Sequence, residues 1–329
     1  MDLHKKVMRT CSVVVLGALI LRLLSGTPGQ QLVSFVRSEK IASVLLTIGT
    51  GRLFPGQFSF THNIAQDNPI EPTKQAVSRI FFSDEDASLL SVKNTSGYNI
   101  NTTELLKMPL NWELSADVPT VLILHTHATE SYTKTENYTE SSRYRTLNCD
   151  YNTVSIGAKL TKLLEANGIR VIHDRTLHDH PSYNNSYNVA RKTIDKHLAE
   201  NPGILMVIDL HRDAMEDANG NQIASTVSSH LGKSAQLMFV MGTGSGGSNH
   251  ANFKENLSLA TKLQVLLEKK TPGICRPMNI RSYRYNQDAS PGALLVEVGA
   301  AGNTRPQALA AVELLAEAIV SLSHGSSYK

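Results

Sequence analysis

From residue 118 onward the chain switches repeatedly between short unbroken apolar runs and stretches whose apolar positions recur at helical spacing. The runs at 121–124, 169–173, 204–210, 236–241 and 294–298 have the length and the aliphatic content of strands buried on both faces. Between them, Val154, Ile156, Leu160, Leu163 and Leu164 share one helical face, and Asn167-Gly168 supplies a stop. Further helices are predicted over 189–198, 255–268 and 306–322, the last opening on Pro306. This alternation predicts an α/β fold: a mostly parallel twisted sheet with helices on both faces. Two polar excursions, 131–151 and 174–187, are long enough to be functional loops and are expected to wall a groove.

Upstream the pattern changes. Residues 1–10 are basic and precede an apolar run at 11–25, the grammar of a signal anchor. No small-residue cleavage site follows, so the run is read as an uncleaved single-pass anchor, with Arg22 snorkelling and residues 1–10 cytoplasmic. Everything downstream is then expected outside the cytoplasm. Residues 26–117 replace periodicity with Gly and Pro punctuation and Ser/Asn/Thr-rich patches, a stalk or linker ahead of a catalytic domain at 118–325.

Composition narrows the field. The 329 residues carry a net charge of only +3, with no basic block interleaved with aromatics, so nucleic acid is not an expected partner. Cys11, Cys149 and Cys275 lack metal-type spacing; a Cys149 to Cys275 disulfide and two buried free thiols are both consistent with the sequence. The glycine cluster at 242–247 lacks the Lys-Ser/Thr of a phosphate loop.

The candidate chemistry sits where the strands end, which is where open α/β sheets bind ligands. The first run ends in His125, His127 and Glu130, the third in His211, and the last contains Glu297. Histidine at a strand end, with rigid support behind and an acidic neighbour to orient its other nitrogen, is placed as a metal ligand should be. His125 and His127 alternate on an extended chain, so they point opposite ways and do not both ligate one ion. An unpaired carboxylate in an apolar strand is costly, so Glu297 is either the partner of Arg212 or Arg284 or a general base beside a metal-bound water. His173, His178 and His180 read as a solvated polar rim.

His-Thr-His-Ala-Thr-Glu-Ser-Tyr at 125–132, Asp-Leu-His-Arg-Asp-Ala at 209–214, Asn152 with its Val and Gly, and the stretch from Tyr285 to Gly299 together resemble the stage II sporulation protein P family. The resemblance covers 118–322, and the basic N-terminus, anchor and stalk resemble that family's layout. It implies a membrane-anchored cell-wall hydrolase of endospore-forming bacteria, acting in the septal intermembrane space during engulfment with sporulation stage II proteins D and M. Its substrate would be peptidoglycan, cut at the amide between N-acetylmuramic acid and L-alanine, with a further endopeptidase activity on cross-links. The chain is also similar, more distantly, to zinc-dependent N-acetylmuramoyl-L-alanine amidases, which implies a zinc-amidase-like fold. That likeness matches His127 and His211 to zinc ligands, Glu297 to the catalytic carboxylate and Asn303 to a following polar residue. The third ligand departs from the amidase pattern, since the matching position is Asn148. Glu130 is taken as the ligand, with Glu140, Asn148 and Asp150 as alternatives, and His125, Arg212, Asp213 and Asn303 as supporting residues. The expected reaction has Zn²⁺ held by His127, His211 and Glu130 while Glu297 moves the proton. A metallo-endopeptidase acting only on peptide bonds and an inactive wall-binding scaffold are the alternatives.

Overall fold

The computed structural model describes residues 80–110, 114, 116–133 and 144–324; the expected anchor, the N-terminal part of the stalk and Glu140 lie outside the described residues. Residues Lys74–Lys329 group into one compact unit. In chain order its strands are β1 (Val92–Asn94), β2 (Val121–Leu124), β3 (Val171–His173), β4 (Met206–Asp213), β5 (Thr226–Ser229), β6 (Gly232–Ala235), β7 (Leu237–Gly242), β8 (Met278–Arg281) and β9 (Ala293–Ala300). The helices are α1 (Thr102–Lys107), α2 (Thr153–Ala166), α3 (Ser186–Glu200), α4 (Phe253–Lys270) and α5 (Arg305–His324).

Seven strands form one sheet in the order β1-β8-β7-β9-β4-β2-β3, and β5 and β6 form a separate hairpin. Five of the six pairings in the sheet are parallel, and only β7 against β9 is antiparallel. The sheet is therefore mostly parallel, with one reversal where the chain enters β7 from the hairpin.

The pleat sorts side chains to two faces. Val121, Ile123, Met206, Ile208, Leu210, Leu294, Val296 and Val298 face α2, α4 and α5 in the large core. Leu122, Leu124, Val207 and Ala293 meet Ala190 and Ile194 of α3 on the opposite face. Each fully buried aliphatic side chain here contributes about 1.5–3 kcal/mol. Helix α2 illustrates how sequence sets the ends: Asn152 Oδ1 accepts the Val154 N–H at 3.0 Å, and Gly168 at φ 76° lets Ile169 N–H close back on Leu164 O at 3.0 Å. Helix α5 is the one described helix long and apolar enough to cross a membrane, but Ala311, Val312, Leu315 and Ile319 bury its inner face in the core.

Residues 80–110, assigned from sequence to the stalk, are built into this body. β1 pairs with β8 as an edge strand, and α1 buries Leu105 and Leu106, whose carbonyl oxygens accept from the buried Lys262 ammonium at 3.1 and 2.8 Å. Cys149 and Cys275 are free thiols, so the disulfide is not formed.

Candidate active site

Parallel strands in register carry the site. Leu124 of β2 pairs with Asp209 of β4, and His211 of β4 pairs with Glu297 of β9. Asp209 and His211 are two residues apart and share the face of Val207, and Glu297 lies on it too, opposite the large core. Beyond the end of β2 the chain turns and lays His127 across His211, ring centres 5.2 Å apart and planes at 85°. His127, His211 and Glu297 thus meet on one face of the sheet, at the C-terminal edge of β2, β4 and β9.

His125 goes the other way. Its Nδ1 is 3.1 Å from Leu210 O and its Nε2 2.9 Å from His173 Nε2, beneath Gly157 of α2. The pair is clamped, each ring held by the other and by the helix above. His173 is half-buried and His178 is buried, bonded to His125 O at 2.8 Å and Thr193 Oγ1 at 3.0 Å; only His180 is exposed, so the expected solvated rim shrinks to one residue.

The electrostatics follow from burial and from three carboxylates. Burial, then the neighbouring His211, pushes the His127 imidazole down to about 3. Burial would lower His211 too, but attraction from Asp209, Glu130 and Glu297 outweighs it and holds this imidazole up at about 10. The pocket favours a positive charge. Burial raises Glu297 to about 8, against the pull of His211. His211 Nε2 lies 3.0 Å from Asp209 Oδ1, off the line of a good hydrogen bond, and Asp209 also accepts from Thr126 N–H at 2.7 Å and Thr126 Oγ1 at 2.6 Å. Asp209 so steadies both the second histidine and the turn that carries the first.

Within the site, His127 Nδ1 and Glu297 Oε2 are buried with no hydrogen-bond partner, and His211 Nε2 has only its misaligned contact with Asp209. Such orphans cost about 1–3 kcal/mol each unless something fills the space between them. Crosswise imidazoles at this separation leave room for an ion about 2 Å from a nitrogen of each. Glu130 Oε2 is 3.7 Å from His211 Nδ1, too far for a hydrogen bond and close to the roughly 3.5 Å between two ligands of one tetrahedral ion. The same oxygen accepts Arg212 N–H at 3.1 Å, and Oε1 is 3.4 Å from Arg145 Nη2. Among the described residues no three His, Cys, Asp or Glu side chains are drawn in tightly enough to make a finished metal cage. His127, His211 and Glu130 are of the residue types that ligate a divalent ion.

The other residues singled out from sequence shape the surroundings. Arg212 donates to Ser131 O and Tyr144 O, both at 3.0 Å, and so ties the start of the long polar loop to its later part. Asp213 pairs with Arg276 at 2.6 Å. Asn303 is a buried bracket, accepting Ala300 N–H at 2.8 Å and donating to Ser225 O at 3.0 Å. Asn148 and Asp150 are exposed and bonded to each other before α2.

Sequence reasoning did not single out the aromatic wall. Tyr183 stacks on His127 at 4.4 Å with Arg145 over its other side at 4.5 Å, and Tyr187 meets the His127 ring edge-on at 5.5 Å. Burial, Asp209 and Glu297 push the Tyr187 phenol well above its ordinary range, so it remains an O–H donor. Tyr285 and Asn286 both adopt left-handed backbone, φ 51° and 58°, which for a tyrosine costs about 1–3 kcal/mol. The signal for Asp209 was present: an acid two residues before a histidine in an apolar strand shares its face.

Residues 59–320 match the family model described as stage II sporulation protein P. The stage II sporulation protein P of Bacillus subtilis (strain 168) is 31% identical over 208 residues, which is 58% of this chain and 48% of that relative, so the match spans about half the relative's length. Among solved structures, the N-acetylmuramoyl-L-alanine amidase AmiC2 of Nostoc punctiforme is 12% identical with a TM-score of 0.37, over 62% of this chain and 94% of that one. The N-acetylmuramoyl-L-alanine amidase of Clostridium difficile 630 is 19% identical with a TM-score of 0.36, again over 62% and 94%.

Proposed function

The chain belongs to the stage II sporulation protein P family, and on that premise we propose a zinc-dependent peptidoglycan hydrolase that cleaves the amide between N-acetylmuramic acid and L-alanine. The observation that supports this reading is the crosswise His127–His211 pair beside Glu297, with His127 Nδ1 and Glu297 Oε2 buried and without a hydrogen-bond partner and His211 Nδ1 turned to within 3.7 Å of Glu130 Oε2. His127, His211 and Glu130 would hold the ion, which supplies Lewis-acid activation of a water and of the scissile carbonyl. Glu297 would take a proton from the attacking water at its unpartnered Oε2 and return it to the departing L-alanine nitrogen, its carboxylate form favoured by the positive charge of a bound ion. Asp209 holds His211 in the tautomer that leaves Nδ1 unprotonated, and the Tyr183 ring over His127 keeps bulk water from that side. The basic N-terminus and the apolar run after it support a single-pass anchor with this domain outside the cytoplasm. Work beside sporulation stage II proteins D and M during engulfment belongs to the same family-based reading.

The test is metal analysis of the purified protein together with digestion of intact sacculi by wild type and Glu297→Gln. One zinc per chain and loss of peptide-free glycan in the variant are expected. Equal release by both would remove Glu297 from the reaction, and fragments cut only within peptides would replace the amidase by an endopeptidase.

A further inference from the structure

We infer that Tyr187, Tyr285 and Tyr283 form a glycan-binding subsite that leads the sugar strand of peptidoglycan into the site. This rests on the proposed reading of the site as a peptidoglycan hydrolase. The three rings run outward from the edge of His127: Tyr187 is 5.5 Å from the His127 ring, Tyr285 6.0 Å from Tyr187, and Tyr283 6.0 Å from Tyr285. The track begins at the candidate catalytic groups and ends in solvent, where Tyr283 is 69% exposed.

The chain holds this track in place against its own backbone preference. Tyr285 and Asn286 sit in the left-handed region, and bonds on every side keep them there. Asn286 Nδ2 donates to Tyr187 O at 2.8 Å, tying Tyr187 to the residue that follows Tyr285. Gln287, buried, accepts Gly242 N–H at 2.7 Å and donates to Val240 O at 2.8 Å, and Thr243 N–H closes on Tyr283 O at 3.0 Å. Gly242 has no room for a side chain, because a Cβ there would meet the Tyr283 and Arg284 backbone within 3 Å. Part of the glycine cluster after β7 thus exists to let the tyrosine loop dock. Beneath, Tyr285 packs on Met238, Val240 and Leu295, on the sheet face that also carries Glu297. An exposed tyrosine needs none of this to be tolerated; holding a strained backbone so firmly is the mark of a presented surface.

The chemistry of the track selects its occupant. A pyranose has an apolar C–H face and a rim of hydroxyls, and a tyrosine offers an apolar ring with a hydroxyl at its edge. A stem peptide carries carboxylates, and the cluster of charge beside His127 is Arg145 with Asp179 and Glu130, whereas Arg284, between Tyr283 and Tyr285, is engaged by Asp288 at 3.5 Å. The groove is thereby divided, sugar on the tyrosine side and peptide on the charged side.

The experiment measures binding of N-acetylglucosamine tetrasaccharide, and separately of a sugar-free stem peptide, to the full chain by titration calorimetry. The variants are Tyr283→Ala, whose exposed ring is removed without disturbing the core, and Tyr285→Ala, with thermal melts to confirm folding. Wild type should bind the tetrasaccharide, each variant should weaken it between about threefold and tenfold, peptide binding should not move, and KM for sacculi should rise by a similar factor. No tetrasaccharide binding by wild type, equal binding by a folded Tyr283→Ala, or loss on the peptide side instead would overturn the inference. If the tyrosine variants lose the tetrasaccharide while wild type hydrolyses nothing, the subsite stands and the hydrolase reading fails; hydrolysis with tetrasaccharide binding unmoved is the reverse.

Discussion

His125 and His127 are two residues apart at the end of one strand, both buried and both held neutral at about 3, yet the chain uses them for opposite ends. His125 has a partner for each nitrogen, Leu210 O and His173 Nε2, and sits under a helix. His127 has an orphaned Nδ1, faces His211, and is walled by tyrosines. Burial does not separate a structural histidine from a chemical one; an unfilled hydrogen-bonding atom in a charged pocket does.

The largest effect should separate the pair outright. His127→Ala is expected to lower sacculus hydrolysis by about a thousandfold or more and to remove bound zinc, because a ligand and the positioned water go together. The metal-free variant should unfold at a somewhat lower urea concentration than the metal-free wild type, because the buried ring packs on Tyr183 and Tyr187. If zinc stays and activity survives, the two histidines are alike and the distinction fails. Asp209→Asn comes next. The variant amide cannot hold the His211 tautomer as the carboxylate does, and zinc affinity should fall about 10–100-fold by competition with a chromophoric chelator.

How much of this contrast is readable in the chain depends on range. β2, β4 and β9 announce themselves as apolar runs that end in or contain His and Glu, and the sequence separates His125 from His127 by strand alternation, whereas the structure does so by the turn that follows β2. β1 and β8 do not. Val92-Lys-Asn94 has one half-buried residue and two exposed ones, and it is a strand only because β8, remote in sequence, offers it an edge. Residues 80–110 therefore read as stalk. The tyrosine track is invisible for the same reason, since Tyr187 and Tyr285 are neighbours only once α3 and β9 are in place. His173 and His178 read as a polar rim because nothing local says that His125 will meet the first and that His125 and Thr193 will enclose the second.

The clamped side can be tested through Gly157. Gly→Ala inside a helix ordinarily stabilises by about 1 kcal/mol. Here the new Cβ would come within 2.6 Å of His125 Nε2 and 2.7 Å of His173 Nε2, two rings that cannot swing away without breaking their own bond. Overpacking should win, with a net loss of about 1–2 kcal/mol in urea unfolding and zinc content unchanged. A stabilised Gly157→Ala would mean the imidazole pair is loose.

The smallest effect sharpens the comparison by pH. His125 is neutral in the fold down to about 3, driven there first by burial and then by His173, while the unfolded chain takes the proton near its ordinary 6.5. Between those values the unfolded state binds more protons, so the stability contributed by keeping His125 neutral is complete above 6.5 and drains away as pH falls toward 3. From pH 7.5 to 5.5 this one group should cost the wild type about 1 kcal/mol. Carboxylates and the other histidines titrate as well, so the informative quantity is the difference from His125→Gln, measured as urea midpoints at both pH values. The variant starts less stable but should lose about 1 kcal/mol less over the interval, because glutamine takes no proton in either state. Parallel loss in the two proteins would place His125 in contact with solvent, and the two histidines would then differ in position alone.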